Sequence, residues 1–196
     1  HIITSNLVSH SIDDRKFGNS SMYFFSGSHN LTIGESTDFD FGSGEFTVDL
    51  WAKMPTDAEW AGILFYDGDG ETRAWRCSPY DGINNWLVYN SATQNDLAGS
   101  IRVDDNVWHH LALVRHGNVF TTYVDGVADN VTTLDITLNA RTTDGEDLRI
   151  GRGYFANNSE QYVGYIDEIR VSKGIARWRE NFTPPTRAYS KIDDDY

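Results

Sequence analysis

Residues 107–127, Val-Trp-His-His-Leu-Ala-Leu-Val-Arg-His-Gly-Asn-Val-Phe-Thr-Thr-Tyr-Val-Asp-Gly-Val, decide the fold. His110 to Val124 reads as two strands around Arg115-His116-Gly117-Asn118, with Gly117 supplying the turn. Val124-Asp125-Gly126-Val127 follows at once, and Asp-Gly between strands is the strongest short hairpin signal. The same period of two governs Phe46–Met54. There Phe46, Val48, Leu50, Ala52 and Met54 share one face, while Asp49 and Lys53 point to the other. Further strands are predicted at Ser21–Phe25, Leu31–Ile33, Gly62–Tyr66, Thr72–Cys77, Trp86–Asn90, Ala98–Val103, Asp147–Gly151 and Val163–Val171. Helical spacing occurs only at Lys173–Trp178. Short strands separated by turn signals about every 8–12 residues predict an all-β, antiparallel two-sheet sandwich or jelly roll. One short C-terminal helical turn completes the prediction.

The chain of 196 residues reads as one domain, long enough to bury about 70% of its unfolded surface without a disulfide framework. Residues 1–15 read as an N-terminal arm, 16–186 as the domain, and 187–196, ending Asp193-Asp194-Asp195-Tyr196, as a disordered tail or linker. One cysteine, Cys77, excludes an internal disulfide and any Cys-x-x-Cys zinc or redox site. No apolar run approaches the ~20 residues of a membrane span. With 29 acidic and 16 basic side chains, a net charge of −13 and a pI near 4.7, neither nucleic acid nor an anionic membrane is expected as a partner. A chain opening on His1 rather than Met reads as a processed or excised piece.

Several segments, taken in order, carry a family resemblance. Lys16-Phe17-Gly18-Asn19-Ser20-Ser21-Met22-Tyr23-Phe24 resembles the opening strand of laminin-G-like, concanavalin A-like jelly rolls. Residues 41–51 (FGSGEFTVDLW) are similar to their next sheet strand, 107–127 to the central hairpin pair, and 148–153 (LRIGRG) to the strand after it. Residues 162–186 (YVGYIDEIRVSKGIARWRENFTPPT) resemble the final strand, short helix and exit, in the form found in bacteriophage virion and marine bacterial surface proteins. The resemblance implies a structural Ca2+ where the last strand crosses the opening segment, held by Asp167, Gly18 and Asp13 in the arm. Calcium suits such a site because it accepts six or more hard oxygens in loose geometry. The competing reading is that Asp167 simply accepts hydrogen bonds from loop amides.

Enzymes share this fold, so function must be read from the site. The laminarinase string E-[IL]-D-x-x-E is absent; Ile166-Asp167-Glu168 has adjacent carboxylates, which a regular strand points to opposite faces. A pair from separate strands, such as Asp49 with Glu168, is the remaining route to hydrolysis. The lyase strings, a nucleophile elbow, HExxH and a Gly-rich phosphate loop are also absent. The expected role is non-catalytic. Carbohydrate sites combine flat aromatics with Asp, Asn and Arg, because a sugar offers an apolar face and a rim of hydroxyls. That mixture nominates Trp60, Asp67, Asp69, Tyr80, Asp81, Asn84, Asn85 and Trp86, with Tyr154 and Asn157 in a second loop. The chain is thus expected to be a carbohydrate-binding adhesion module, extracellular or on a virion surface, with a cell-surface glycan or polysaccharide as partner. The alternative is a structural or protein-joining jelly roll, and a diverged glycoside hydrolase or lyase stands third.

Overall fold

The computed structural model of the chain describes residues 1–25, 28–34, 36–57, 61–67, 73–90, 93–138, 147–153 and 161–190. Among these residues fourteen strands follow one another: β1 (Ile3–Asn6), β2 (Ser9–Ser11), β3 (Ser21–Phe24), β4 (Asn30–Ile33), β5 (Phe46–Lys53), β6 (Leu64–Asp67), β7 (Arg73–Cys77), β8 (Ile83–Asn90), β9 (Thr93–Arg102), β10 (Trp108–His116), β11 (Val119–Val124), β12 (Val127–Thr133), β13 (Asp147–Ile150) and β14 (Gly164–Lys173). They form two seven-stranded antiparallel sheets. Sheet I runs β1-β4-β13-β6-β7-β8-β9 and sheet II runs β12-β11-β10-β5-β14-β3-β2.

Alternation builds the core between them. From sheet II, Phe46, Val48, Leu50 and Ala52 of β5 and Leu111 and Leu113 of β10 point inward. Leu64 and Tyr66 of β6, Trp75 and Cys77 of β7 and Trp86 and Val88 of β8 meet them from sheet I. Buried polar groups are tied down: the Trp75 indole donates to Phe39 O at 3.1 Å, and Arg115 donates to the carbonyls of Gly117, Gly42 and Ile136. Among the described residues the only helical element is a single 3-10 turn, Thr37–Phe39, capped by Ser36.

The predicted helical turn at 173–178 is absent. Gly174 turns left-handed at φ +81°, and the backbone groups beyond it bond to the sheet instead of to one another. Gly174 N donates to Glu45 O at 2.8 Å; the Thr47 hydroxyl donates to Ile175 O and accepts from Arg177 N. Residues 174–190 therefore form a strap across the outer face of sheet II. Trp178 and Phe182 stack at 3.8 Å and cover Ala112, Val114 and Tyr123. The face of β5 that carries Asp49 is consequently buried.

The Asp125–Gly126 turn is where the strap docks. Both residues have positive φ, and Gly126 O accepts from Phe182 N at 2.9 Å. A Cβ at Gly126 would lie 1.9 Å from Phe182 O, so only glycine serves both the turn and the contact. Beside it, His109 is held between two carboxylates, Nδ1 at 2.7 Å from Asp125 and Nε2 at 3.0 Å from Asp105. Both ring nitrogens face acceptors, which is the environment of an imidazolium. The hydrogen bond to Asp125 raises the His109 pKa; burial opposes it, and Asp105 adds to the rise. A raised folded-state pKa contributes stability that is full below the unfolded value of about 6.5 and is lost as pH climbs through the folded value. The melting temperature of the native chain should therefore fall relative to His109→Gln as pH rises from about 6 through the alkaline side of that window. Parallel melting curves across that range would remove the staple.

Candidate functional site

On sheet I, β7 and β8 meet in a two-residue turn at Asp81–Gly82, with φ +49° and +73°, closed by reciprocal bonds between Tyr80 and Ile83 at 3.0 and 2.9 Å. This is the twist-matched hairpin turn that Asp-Gly favours. The turn is braced from β9: Arg102 forks onto Asp104 at 3.0 and 2.8 Å, and Asp104 also accepts from Asp57 N at 3.1 Å. A Cβ on Gly82 would lie 2.2 Å from Asp104 Oδ1, so the carboxylate rests on bare turn backbone.

Register then fixes which side chains share the outer face. Directly paired residues lie on one side of a sheet. Tyr80, Ile83 and Arg102 form one row, Ser78, Asn85 and Ala98 the next, and Arg76, Leu87 and Asp96 the third. Tyr80 is 47% exposed at the end of this face. Behind it, Ser78 Oγ and Asn85 Oδ1 are buried and have no hydrogen-bond partner among the described residues. Burying a polar atom unpaired costs about 1–3 kcal/mol. Farther along, Tyr89 donates to Gln94 Oε1 at 2.9 Å, and the Arg76 guanidinium lies 5.6 Å from the Tyr89 ring. The arrangement offers an exposed ring and a forked guanidinium at the β7–β8 turn, with the Ser78 and Asn85 oxygens buried behind them.

Of the residues nominated from sequence, Tyr80, Asp81 and Asn85 come together at this face and turn. Asn84 and Trp86 do not. They sit at even positions of β8, whose even side chains point inward, and both are fully buried. Trp86 packs in the core, and the Asn84 amide donates to Asp129 Oδ2 at 3.1 Å. Neither can reach a ligand. Asp67 ends β6, but its side chain is outside the described residues, as are Trp60, Asp69, Tyr154 and Asn157. The register also brings Arg102, a residue that the sequence alone did not nominate, beside Tyr80. The Asp-Gly turn at 81–82 was the available signal, since it sets the register that puts Ser78 opposite Asn85.

The residues named for calcium have a different disposition. Asp167 Oδ2 accepts from Lys16 N and Phe17 N, both at 3.1 Å, and its Oδ1 accepts from Glu168 N at 3.0 Å. Three N–H donors converge on the carboxylate, whereas calcium requires oxygens. Gly18 and Asp13 are exposed, and Asp13 N donates to Ser11 Oγ. The neighbouring Asp14 pairs with Lys53 and accepts from the Trp108 indole. Among the described residues no three His, Cys, Asp or Glu side chains are grouped to hold a metal. This donor set does not fit calcium; it matches the loop-amide alternative. Melting curves in calcium and in EDTA should coincide, and a calcium-dependent rise abolished by Asp167→Ala would contradict this.

A bulge in β14 between Asp167 and Arg170, with Glu168 at φ +51°, brings Glu168 to the same side as Asp167, against the regular alternation expected. Glu168 Oε2 accepts from Tyr189 N at 2.7 Å, and the Tyr189 hydroxyl donates to Asp49. Asp49 is fully buried, bonded by Arg170 through Nε and Nη2 at 3.0 Å each and by His110 Nε2 at 3.2 Å. Burial alone would raise the Asp49 carboxyl, but the bonds from His110 and Arg170 outweigh it and hold the pKa below the ordinary value. Burial and the Asp49 charge push the Tyr189 hydroxyl far up, so it stays a donor. Asp49 and Glu168, the one cross-strand carboxylate pair named as a route to hydrolysis, are thus both anchors of the strap.

No curated protein matches the chain by sequence. Solved structures share its fold. Domain 4 of AbnA, a GH43 extracellular arabinanase from Geobacillus stearothermophilus solved with arabinotriose, superposes with a TM-score of 0.65 at 17% identity, covering 88% of this chain and 82% of that one. The binding domain of Paraclostridial Mosquitocidal Protein 1 gives 0.66 at 12%, and the receptor binding domain of botulinum neurotoxin D gives 0.67 at 10%. The chain is covered to 87% and 93% in these two, but spans only 42% and 45% of their lengths. At such identities the likeness is one of fold. A laminin-G-type family model matches residues 25–179, from the end of β3 into the strap, and the chain belongs to that family of the concanavalin A-like lectin/glucanases superfamily.

Proposed function

We propose that the chain is a non-catalytic carbohydrate-binding module that uses the outer face of sheet I across β7, β8 and β9. The observation that carries this reading is the exposed Tyr80 ring in one row with the exposed Arg102 guanidinium, which the Asp104 carboxylate holds in place. Sugar hydroxyls accept from a guanidinium, and a sugar ring face stacks on a tyrosine. The arabinanase domain bound to arabinotriose supports the reading, as do the toxin binding domains of the same fold. The engagement of Asp49, Glu168 and Asp167 in structural bonds supports a binding rather than a hydrolytic role. No described helix is long and apolar enough to cross a membrane. The likeness of the 162–186 ending to phage and marine bacterial surface modules supports a place outside the cell, on a virion or secreted protein.

Binding should be weak, millimolar to micromolar, because few rings stack. A glycan array probed with the native chain should give neutral-sugar hits that Tyr80→Ala weakens at least tenfold without moving the melting temperature. An empty array would sink the reading. It would favour instead a protein-joining module, to which the exposed Ile2, Ile3, Leu7 and Ile12 of the N-terminal segment lend themselves.

A further inference from the structure

The charge of this chain is not evenly spread. Between Arg170 and Tyr189 stand five basic residues, Arg170, Lys173, Arg177, Arg179 and Arg187, and one acidic residue, Glu180, in a chain of net charge −13. Within the strap itself, residues 174–190, three arginines stand against one glutamate, a net charge of about +2 on an acidic protein. The strap also borders a groove of about 1020 Å³, lined by four of those arginines and by Glu45 and Glu180, together with Trp178, Phe182 and the Pro184–Pro185 pair. That volume suits a small ligand of a few rings. Arg179 and Arg187 are exposed, while Trp178 and Phe182 are half-buried and stacked.

The groove is held in shape at both ends. Gly174 N, Ile175 O and Arg177 N are bonded to Glu45 and Thr47 at one end, Phe182 N to Gly126 in the middle, and Tyr189 to Asp49 and Glu168 at the other. Arg170 is fixed by Asp49, with its guanidinium 4.0 Å from the Tyr189 ring, and Arg177 Nε donates to Ser172 Oγ at 2.8 Å. A ligand entering such a groove orders little of the protein, which favours affinity.

We infer that this groove is a second binding site, for a short oligosaccharide carrying one or more carboxylates. Guanidinium groups match a carboxylate in a planar, two-bond fork, and the aromatic and proline side chains offer an apolar wall for sugar rings. The overall charge repels long polyanions, nucleic acid included, so the ligand is a short one whose few charges fall within reach of the arginines. The inference rests on the reading of the chain as a glycan-binding module, but it places a different chemistry on the opposite sheet.

The probe is trigalacturonate, titrated calorimetrically at low salt beside its methyl ester, which has the same backbone without charge. The acid should bind at least tenfold more tightly than the ester, and its affinity should fall as salt is raised. The double variant Arg179→Ser/Arg187→Ser should lose at least tenfold in affinity for the acid and retain the neutral-sugar hits of sheet I. Glu180→Gln, which removes the one acidic residue of the segment, should bind the acid more tightly. No binding of the acid at millimolar concentration, equal affinity for acid and ester, or an unchanged double variant would each overturn the inference. Binding of the acid beside an array empty of neutral hits would uphold this site and remove only the one on sheet I.

Discussion

Asp49→Ala should lower the melting temperature by roughly 10 °C and release the strap. Asp49 is the acceptor on which Arg170, His110 and Tyr189 converge beneath the strap. Removing one partner of a buried ion pair leaves the other charge uncompensated and costs about 3–5 kcal/mol. For a chain of this size each kcal/mol shifts the melting temperature by about 2–4 °C. Tyr189→Phe removes only one of the bonds and should cost about 1 kcal/mol. The release has its own readout: Arg177, Arg179 and Arg187 lie in the strap, so limited trypsin digestion should clip it far faster in Asp49→Ala than in the native chain. A variant with native melting and native digestion would show that the strap is held elsewhere, by Thr47 and Gly126 alone.

Trp86→Ala should be as damaging, for a different reason. The indole is fully buried between the sheets, and its loss leaves a cavity that the surrounding strands cannot close. Large-to-small changes of this kind cost about 3–5 kcal/mol. Tyr80, six residues earlier on the same hairpin, is exposed, and its replacement by alanine should change stability by no more than about 0.5 kcal/mol. Unfolding of Trp86→Ala thus says nothing about sugar binding, whereas loss of binding in a stably folded Tyr80→Ala does. Native-like stability in Trp86→Ala would mean that the register of β8 is shifted by one residue.

The strands most legible in the sequence are those whose alternation is uninterrupted. Phe46–Met54 and the 107–127 hairpins have five or more apolar residues in period two or a decisive turn, and they became the centre of sheet II. The arm at 1–15 was harder to read. Its Ile3–Asn6 and Ser9–Ser11 segments are short and mostly exposed, so no apolar face betrays that they pair with β4 and β3. The 173–178 segment carries helical spacing, yet its apolar side chains face a sheet, and Thr47 competes successfully for its backbone groups. Of the tail predicted at 187–196, Tyr189 is tied down, because partners more than a hundred residues away in sequence leave no local trace.

The candidate site shows the same division. Composition pointed to the hairpin around Tyr80 and Trp86, but an aromatic count cannot tell an inward Trp86 from an outward Asn85; only register does. Ser78 and Arg102 belong to no aromatic motif, and their place beside Tyr80 follows from the pairing of three strands. The bulge at Asp167–Arg170 is a tertiary feature, and it changed the disposition of Asp167 and Glu168 that simple alternation implies.

The most direct measurement is a 1H–15N NMR titration of the chain with its best neutral ligand from the array. The account predicts that the largest shifts fall on Ser78, Tyr80, Asn85 and Arg102, with the core neighbour Trp86 perturbed only indirectly and the Arg179–Arg187 segment unmoved. Shifts centred on the strap or on the N-terminal segment, with the β7–β9 face silent, would contradict it.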